Sequence, residues 1–391
     1  MSIIGIVCEF NPFHNGHKYL IDSVKEDGDT IVCVMSGNFV QRGEPAIIPK
    51  EIRTKAALLN GADIVLELPF VYATASAELF AHSAVKILND FGCEKIAFAT
   101  ESANTMLLEN AVDILLSDNF ENEVKTELQN GISYPTARQM VFNKYNSEID
   151  ITSPNNILAI EYIKAIRKLN SDITPIVITR KGAGYNDNTA VECFASATYI
   201  RNLMTQSEDY CDYIPKNLIE LYDNAIKSGS VLCKDKYNIA ALSILRNSLN
   251  NDLSNIANIS EGLENRIIDA TKFNINLNDI YDSAKTKRYT HSRIRRAILS
   301  IIMGVNSDDL KIEVPYCRLL GFNRESSLIM GKLAKECKIP FVATYSDILA
   351  LSNNGAHIIF GIENKSSDFY NLVLENSLYC STEMTYKPVK L

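Results

Sequence analysis

The chain has no C-x-x-C pair although it holds nine cysteines, and most of these sit inside apolar runs, as Cys33 does in I-V-C-V-M. That spacing gives no support to a zinc knuckle or a dithiol redox centre. The count is odd and 391 residues far exceed a disulfide-stapled secreted domain, so reduced, buried thiols in a cytosolic protein are expected. No apolar stretch approaches the ~20 residues of a membrane span. The N-terminus lacks a basic n-region and a small-residue cleavage site. The expectation is a soluble, cytoplasmic protein without membrane contact. Glycine (17) and proline (11) are too scarce for a collagen-like or low-complexity chain. Positive charge is also short: 39 Lys and Arg against 47 Asp and Glu leave −8. Overall basicity therefore does not draw this protein to nucleic acid, although a local patch still can.

What is present is an alternation. Residues 2–9 (SIIGIVCE) form a short apolar run suited to a strand buried on both faces, broken by Asn11-Pro12. A helix is expected over 14–25, and strands at 30–35, 63–68, 95–100 and 175–179 are separated by helices at 49–60, 75–88 and 156–169. Strands joined by such helices imply right-handed crossovers, hence an α/β fold with a doubly wound, parallel, five-stranded sheet. Ligands of such sheets bind beyond the carboxyl ends of the strands. Past about residue 205 the pattern becomes helical (217–227, 239–249, 263–271, 293–302), with short β-prone runs at 339–344 and 357–361. Two domains are expected, a catalytic one at 1–210 and a mainly α-helical C-terminal one at 211–391.

The first strand runs into E-F-N-P-F-H-N-G-H, residues 9–17. His14 and His17, three apart at a helix start, share one face, and Gly16 lets a flat ligand approach the backbone. With the unpaired N–H groups of the helix N-terminus they make an anion site suited to a triphosphate. After the fifth strand, F-A-S-A-T-Y-I-R (194–201) places Ser196 and Thr198 at a second helix start, and Arg201 as a planar cation for phosphates. His14-Asn15-Gly16-His17 resembles the H-x-G-H signature of the adenylyl-transferring nucleotidyltransferases, and 194–201 resembles their I-S-S-T-x-I-R element. The resemblance implies the nucleotidyltransferase (HUP-like) form of the sheet, with His14, His17 and Arg201 as catalytic residues.

A narrower resemblance covers essentially the whole chain. Residues 9–17 and 35–45 (MSGNFVQRGEP) are similar to the opening and the next loop of the bacterial tRNA(Met) cytidine acetate ligases. So are Glu67-Leu68-Pro69, P-N-N-I-L at 154–158, R-K-G-A-G-Y at 180–185, T-K-R-Y-T at 286–290 and L-L-G-F at 319–322. The resemblance implies ATP contacts at Val7, Cys8, Glu9, Phe10, Asn11, Pro12, Phe13, His14, Asn15, Gly16, His17, Lys18, Tyr19, Leu20, Ala99, Asn155, Arg180, Ser196 and Thr198. Asn155 equally suits a plain helix N-cap. Ala99 stands where the family commonly has glycine, and Asn11 matches the narrower family where the wider superfamily often has Asp. The implied reaction activates acetate with ATP, carried as its Mg²⁺ complex, to acetyl-adenylate. It then acetylates the wobble cytidine of elongator tRNA(Met) to N4-acetylcytidine. No carboxylate cluster for a protein-bound metal is expected.

For the RNA, Lys285, Lys287, Arg288, His291, Arg293, Arg295 and Arg296 crowd around Tyr289, a phosphate-binding helix entry with a ring for stacking. A solvated basic helix face accounts for the same residues equally well. Gln41-Arg42-Gly43-Glu44, with Lys50 and Arg53, is expected to extend the basic surface toward the nucleotide; Lys55 reads as an ordinary exposed charge. Two rival functions fit the motifs: a small-molecule adenylyltransferase acting on a phosphorylated cofactor precursor, and a non-catalytic nucleotide- or RNA-binding module.

Overall fold

The computed structural model describes residues 2–101, 104–130, 132, 134–146, 148–181, 190–260, 262–286 and 288–391. Its frame is one sheet. The strands β1 (Ile3–Cys8) and β2 (Thr30–Ser36) are followed by a small hairpin, β3 (Phe39–Val40) and β4 (Glu44–Pro45). Then come β5 (Ile64–Leu68), β6 (Lys95–Thr100) and β7 (Thr174–Thr179). Four parallel pairings set the order β5-β2-β1-β6-β7, the five-stranded arrangement expected from the alternation. A second hairpin, β8 (Ala190–Val191) and β9 (Phe194–Ala195), follows.

The sheet does not stop at five strands. β10 (Cys317–Phe322) pairs antiparallel with β5, and β11 (Phe341–Val342) and β12 (Val389–Lys390) both pair with β10, giving eight strands. The C-terminal part thus covers an edge of the nucleotide sheet that would otherwise present unpaired N–H and C=O groups. The run 357–361, expected to be β-prone, is instead inside a helix, Asn354–Leu372. Its Ala356, Ile359, Phe360 and Glu363 fall at helical spacing on the buried face, and that period overrides local β-preference.

Helices cover both faces. On one lie α1 (Asn15–Val24) and α2 (Lys50–Leu59), joined from later in the chain by the helix that follows β9. On the other lie α3 (Ala77–Phe91) and α4 (Pro154–Lys168). The helix after β9 is α5 (Ala197–Gln206). The helical C-terminal region comprises α6 (Lys234–Asn247), α7 (Leu263–Phe273), α8 (Leu277–Ala284), α9 (His291–Met303) and α10 (Asn354–Leu372), packed into the same core as α3 and α4. Strand order reverses between β1 and β6, so a crevice opens there beyond the strands' carboxyl ends.

Candidate active site

The crevice is a cleft of about 260 Å³ with α1 and α5 on one side and α3 and α4 on the other. At its floor, β1 ends and α1 begins with His14 as N-cap. The Gly16 N–H donates to His14 Nδ1 at 3.1 Å, and the His14 N–H donates to His17 Nδ1 at 3.2 Å. This is a capping box built from two imidazoles where a hydroxyl and a carboxylate or carboxamide usually serve. It also fixes chemistry. A ring that accepts at Nδ1 carries its proton on Nε2, so both histidines offer an Nε2–H donor. The rings stack at 3.7 Å between centroids, inclined by 23°. Gly16 relieves this packing, since a Cβ there would press on His14 Cε1 at 3.0 Å.

Burial, followed by the positive fields of Arg180 and Arg201, pushes His14 down to about 3. Burial, then His14 and Arg180, holds His17 well below the usual histidine range. At neutral pH both rings are therefore uncharged donors. The fixed charge comes from elsewhere: among the described residues Arg42, Arg180, Lys181 and Arg201 line the cleft, against Glu9 and Glu44. Arg201 donates to the carbonyl of Asn11 at 2.8 Å and to Thr198 Oγ1 at 3.0 Å, which ties α5 to the H-x-G-H loop. Arg180 follows β7 directly, its N–H donating to the Thr100 carbonyl at 2.9 Å. Burial raises the Glu9 pKa, while the Gln41 N–H donating to its Oε1 at 2.8 Å opposes the rise. The cleft is basic inside an acidic protein.

Of the residues singled out in sequence, Val7, Cys8, Glu9, Phe10, Asn11, His14, Gly16, His17, Tyr19, Leu20, Ala99, Asn155, Arg180, Thr198 and Arg201 line this cleft. Five others do not. Phe13 is core, and Pro12 is buried beside it. The Asn15 amide donates to the carbonyls of Cys193 and Asp212, and Lys18 pairs with Asp22 on the surface. The buried Ser196 hydroxyl caps α5 by accepting the Tyr199 N–H at 3.1 Å. Asn155 is no cap: Ser153 caps α4, and Asn155 is the second residue of the helix, donating to Glu101 at 2.9 Å. Residues 182–185 lie outside the described residues. Sequence reasoning missed the apolar wall Phe80, Phe98, Leu158, Ala159 and Tyr162, which looks like ordinary core in a linear pattern.

Lys50 and Arg53 do not extend a basic surface; both are fully buried, whereas Lys55 is exposed. Arg53 donates to the carbonyls of Glu9 (2.6 Å), Ser36 (3.1 Å), Ile48 (3.1 Å) and Gly37. It thereby clasps the ends of β1 and β2 where the cleft loops begin. Lys50 sits among Glu67 (2.5 Å), Glu383 (2.6 Å) and Glu363 (3.4 Å), with Arg318 donating to Glu67 and Glu383. The three carboxylates converge closely enough for a metal ion, but the Lys50 ammonium and the Arg318 guanidinium occupy that role.

The basic cluster is also more committed than its composition suggests. Tyr289 is 4% exposed, so its ring is core and not a stacking platform. Arg295 pairs with Glu44 of the cleft and lies over the Tyr281 ring at 5.3 Å. Burial lowers Arg296 to about 10, and Arg293 donates to Ser260 at 2.5 Å. Lys285 and Arg288 are exposed, and Lys287 lies outside the described residues. Gly43 (φ +76°) explains how close the two parts come: a Cβ there would lie 2.7 Å from the Arg296 nitrogen of α9.

Residues 1–384 match the model of the HIGH Nucleotidyl Transferase family. The chain is 37% identical to a tRNA(Met) cytidine acetate ligase of Acetivibrio thermocellus over 97% of each sequence. It is 36% identical to one of Thermoanaerobacter sp. over 100% of each. Two crystal structures of Thermotoga maritima TmcAL superpose over 100% of both chains. The apo form gives a TM-score of 0.93 at 32% identity, and the form bound with alpha-thio ATP gives 0.91 at 31%.

Proposed function

We propose, from the premise that this chain belongs to the HIGH nucleotidyl transferase family and within it to the tRNA(Met) cytidine acetate ligases, a two-step acetylation of tRNA. The chain is an ATP-dependent ligase. In the first step an acetate oxygen attacks the α-phosphorus of ATP, which enters as its Mg²⁺ complex, and pyrophosphate leaves. In the second, the N4 amine of the wobble cytidine of elongator tRNA(Met) attacks the acetyl carbon. The amine loses a proton and AMP departs.

The observation that carries this reading is the reciprocally capped His14–His17 pair, converging with Arg180 and Arg201 on one cleft. Acetate is an anion at neutral pH, so the first step needs no general base. It needs donors aimed where charge develops, and two anions held together. Neutral Nε2–H groups supply directed hydrogen bonds, and the two arginines supply charge that no pH near neutrality removes. His14, His17 and Arg201 are assigned to catalysis, and the other cleft-lining residues singled out in the sequence to ATP.

RNA is assigned to the surface around Lys285 and Arg288. From there α9 leads to the β3–β4 hairpin, whose Gln41, Arg42 and Glu44 line the cleft. The test is mass spectrometry of elongator tRNA(Met) after incubation with the protein, ATP, Mg²⁺ and acetate. N4-acetylcytidine at the wobble position, dependent on both ATP and acetate and accompanied by AMP, is expected. AMP transfer to a phosphorylated small molecule, with tRNA left unmodified, would favour the adenylyltransferase alternative.

A further inference from the structure

We propose that the apolar wall on the α3–α4 side of the cleft is the acyl subsite, which encloses the methyl group of the carboxylic acid and limits it to two carbons. The inference rests on the acid-activating reading above and adds the residues that choose the acid.

The cleft is divided by chemistry. Its imidazoles, Arg180 and Arg201 come from β1–α1, the end of β7 and α5. Across the strand ends the lining is Val40, Phe80, Phe98, Leu158, Ala159 and Tyr162, from β3, α3, β6 and α4. The two sides also differ in room. Val40 and Phe80 are 2% exposed, Ala159 1%, Tyr162 5% and Phe98 7%. Tyr19, Leu20 and Phe194, on the α1 side, are only partly buried. A purine with its ribose needs the open side, where Tyr19 offers a ring face already approached by Lys181 at 4.3 Å. A methyl group needs only a shallow, dry recess.

The wall is also stiff and suitably flanked. Phe98 and Tyr162 pack at 5.5 Å between centroids, and Phe80, Phe98, Ala159 and Tyr162 all belong to the continuous core of that face. Such packing yields little to an extra methylene. Arg42 lies two residues after Val40 on the β3–β4 hairpin and lines the same cleft, a cation for the carboxylate while the wall takes the methyl. Desolvation favours the uncharged form of Glu9, which accepts the Gln41 N–H of this hairpin at 2.8 Å, and reduces its repulsion of a second carboxylate.

The experiment is ATP–pyrophosphate exchange by the full chain with acetate, propionate or butyrate, for wild type, Leu158→Ala and Phe80→Leu. Wild type is expected to prefer acetate to propionate by about 10- to 200-fold, the range one methylene commands in a shaped pocket. Each variant should raise the propionate-to-acetate ratio of kcat/KM by about tenfold and leave the KM for ATP unchanged. Leu158 is only partly buried, so Leu158→Ala keeps the test decisive if Phe80→Leu fails to fold. Robust acetate exchange with an unmoved ratio in folded variants would overturn the subsite alone. So would a rise in ATP KM without a change in acid preference, because the wall would then hold the base. No exchange by wild type with any of the acids would overturn the subsite together with the reading it rests on.

Discussion

His14 and His17 each accept a backbone N–H at Nδ1, and that bond decides which proton they can offer a phosphate. The donor and capping roles of His14 separate in one substitution. Asparagine is a good N-cap, so His14→Asn should keep α1 and the melting temperature while removing the Nε2 donor. Loss of one donor to developing charge is worth about 3 kcal/mol, so pyrophosphate exchange should fall roughly a hundredfold or more. His17→Ala should match it in activity. Near-wild-type exchange in either variant would remove these rings from the chemistry. The same rings shape the pH dependence of folding. Their folded pKa values lie below the ordinary 6.5, His14 at about 3, so between those limits the unfolded chain binds protons that the folded chain refuses. Their contribution is intact above pH 6.5 and is lost progressively as pH falls toward 3. Denaturant titrations of wild type and His14→Asn over pH 4–7 should show a shallower acid decline in the variant. In the sequence these residues were legible because H-x-G-H is contiguous. Their neutrality was not, because Arg180 and Arg201 come from 160 residues or more downstream.

At the level of elements, the helix α2 shows where a linear reading goes astray. Lys50, Arg53, Thr54 and Ala57 lie at i, i+3, i+4 and i+7, and all four are buried. The spacing is that of a core-facing stripe, but two members are cations, and cations are ordinarily read as surface. The Lys50 partners Glu67, Glu363 and Glu383 are spread over β5, α10 and the chain's last turn of helix, with Arg318 of β10 joining Glu67 and Glu383, so no local pattern announces them. Lys50→Met would strand three carboxylates against Arg318 alone and should cost roughly 3–5 kcal/mol of stability, read as a lowered melting temperature. Glu363 behaves differently. Burial, then repulsion from Glu67, pushes its carboxyl up to about 8. The unfolded chain therefore loses that proton near 4.5, before the folded chain does, and stability from this group declines as pH rises from 4.5 to 8. Glu363→Gln should gain stability relative to wild type over that interval. A constant difference across it would contradict the raised carboxyl.

Across the whole molecule, the nucleotide sheet and the helical half are joined through shared strands and through the hairpin against α9. The five-stranded core was readable from alternating apolar runs; the three added strands were not. β11 and β12 are two residues long, and β10 pairs with a strand some 250 positions earlier. This joining separates the fates of the basic residues. Lys285→Ala with Arg288→Ala should weaken tRNA binding, and the salt slope should fall by about one unit for each phosphate no longer neutralised. Acetate-dependent exchange without RNA should persist in that variant. Arg295→Ala should impair both half-reactions, because it releases Glu44 at the cleft. Unchanged tRNA affinity and salt dependence in the double variant would make the cluster a solvated helix face. The central claim is that this cleft activates acetate by itself, and ATP–pyrophosphate exchange in the absence of RNA tests it most directly. The account predicts exchange that requires acetate and disappears in His17→Ala. Exchange that ignores acetate, or that survives loss of His17, would contradict it.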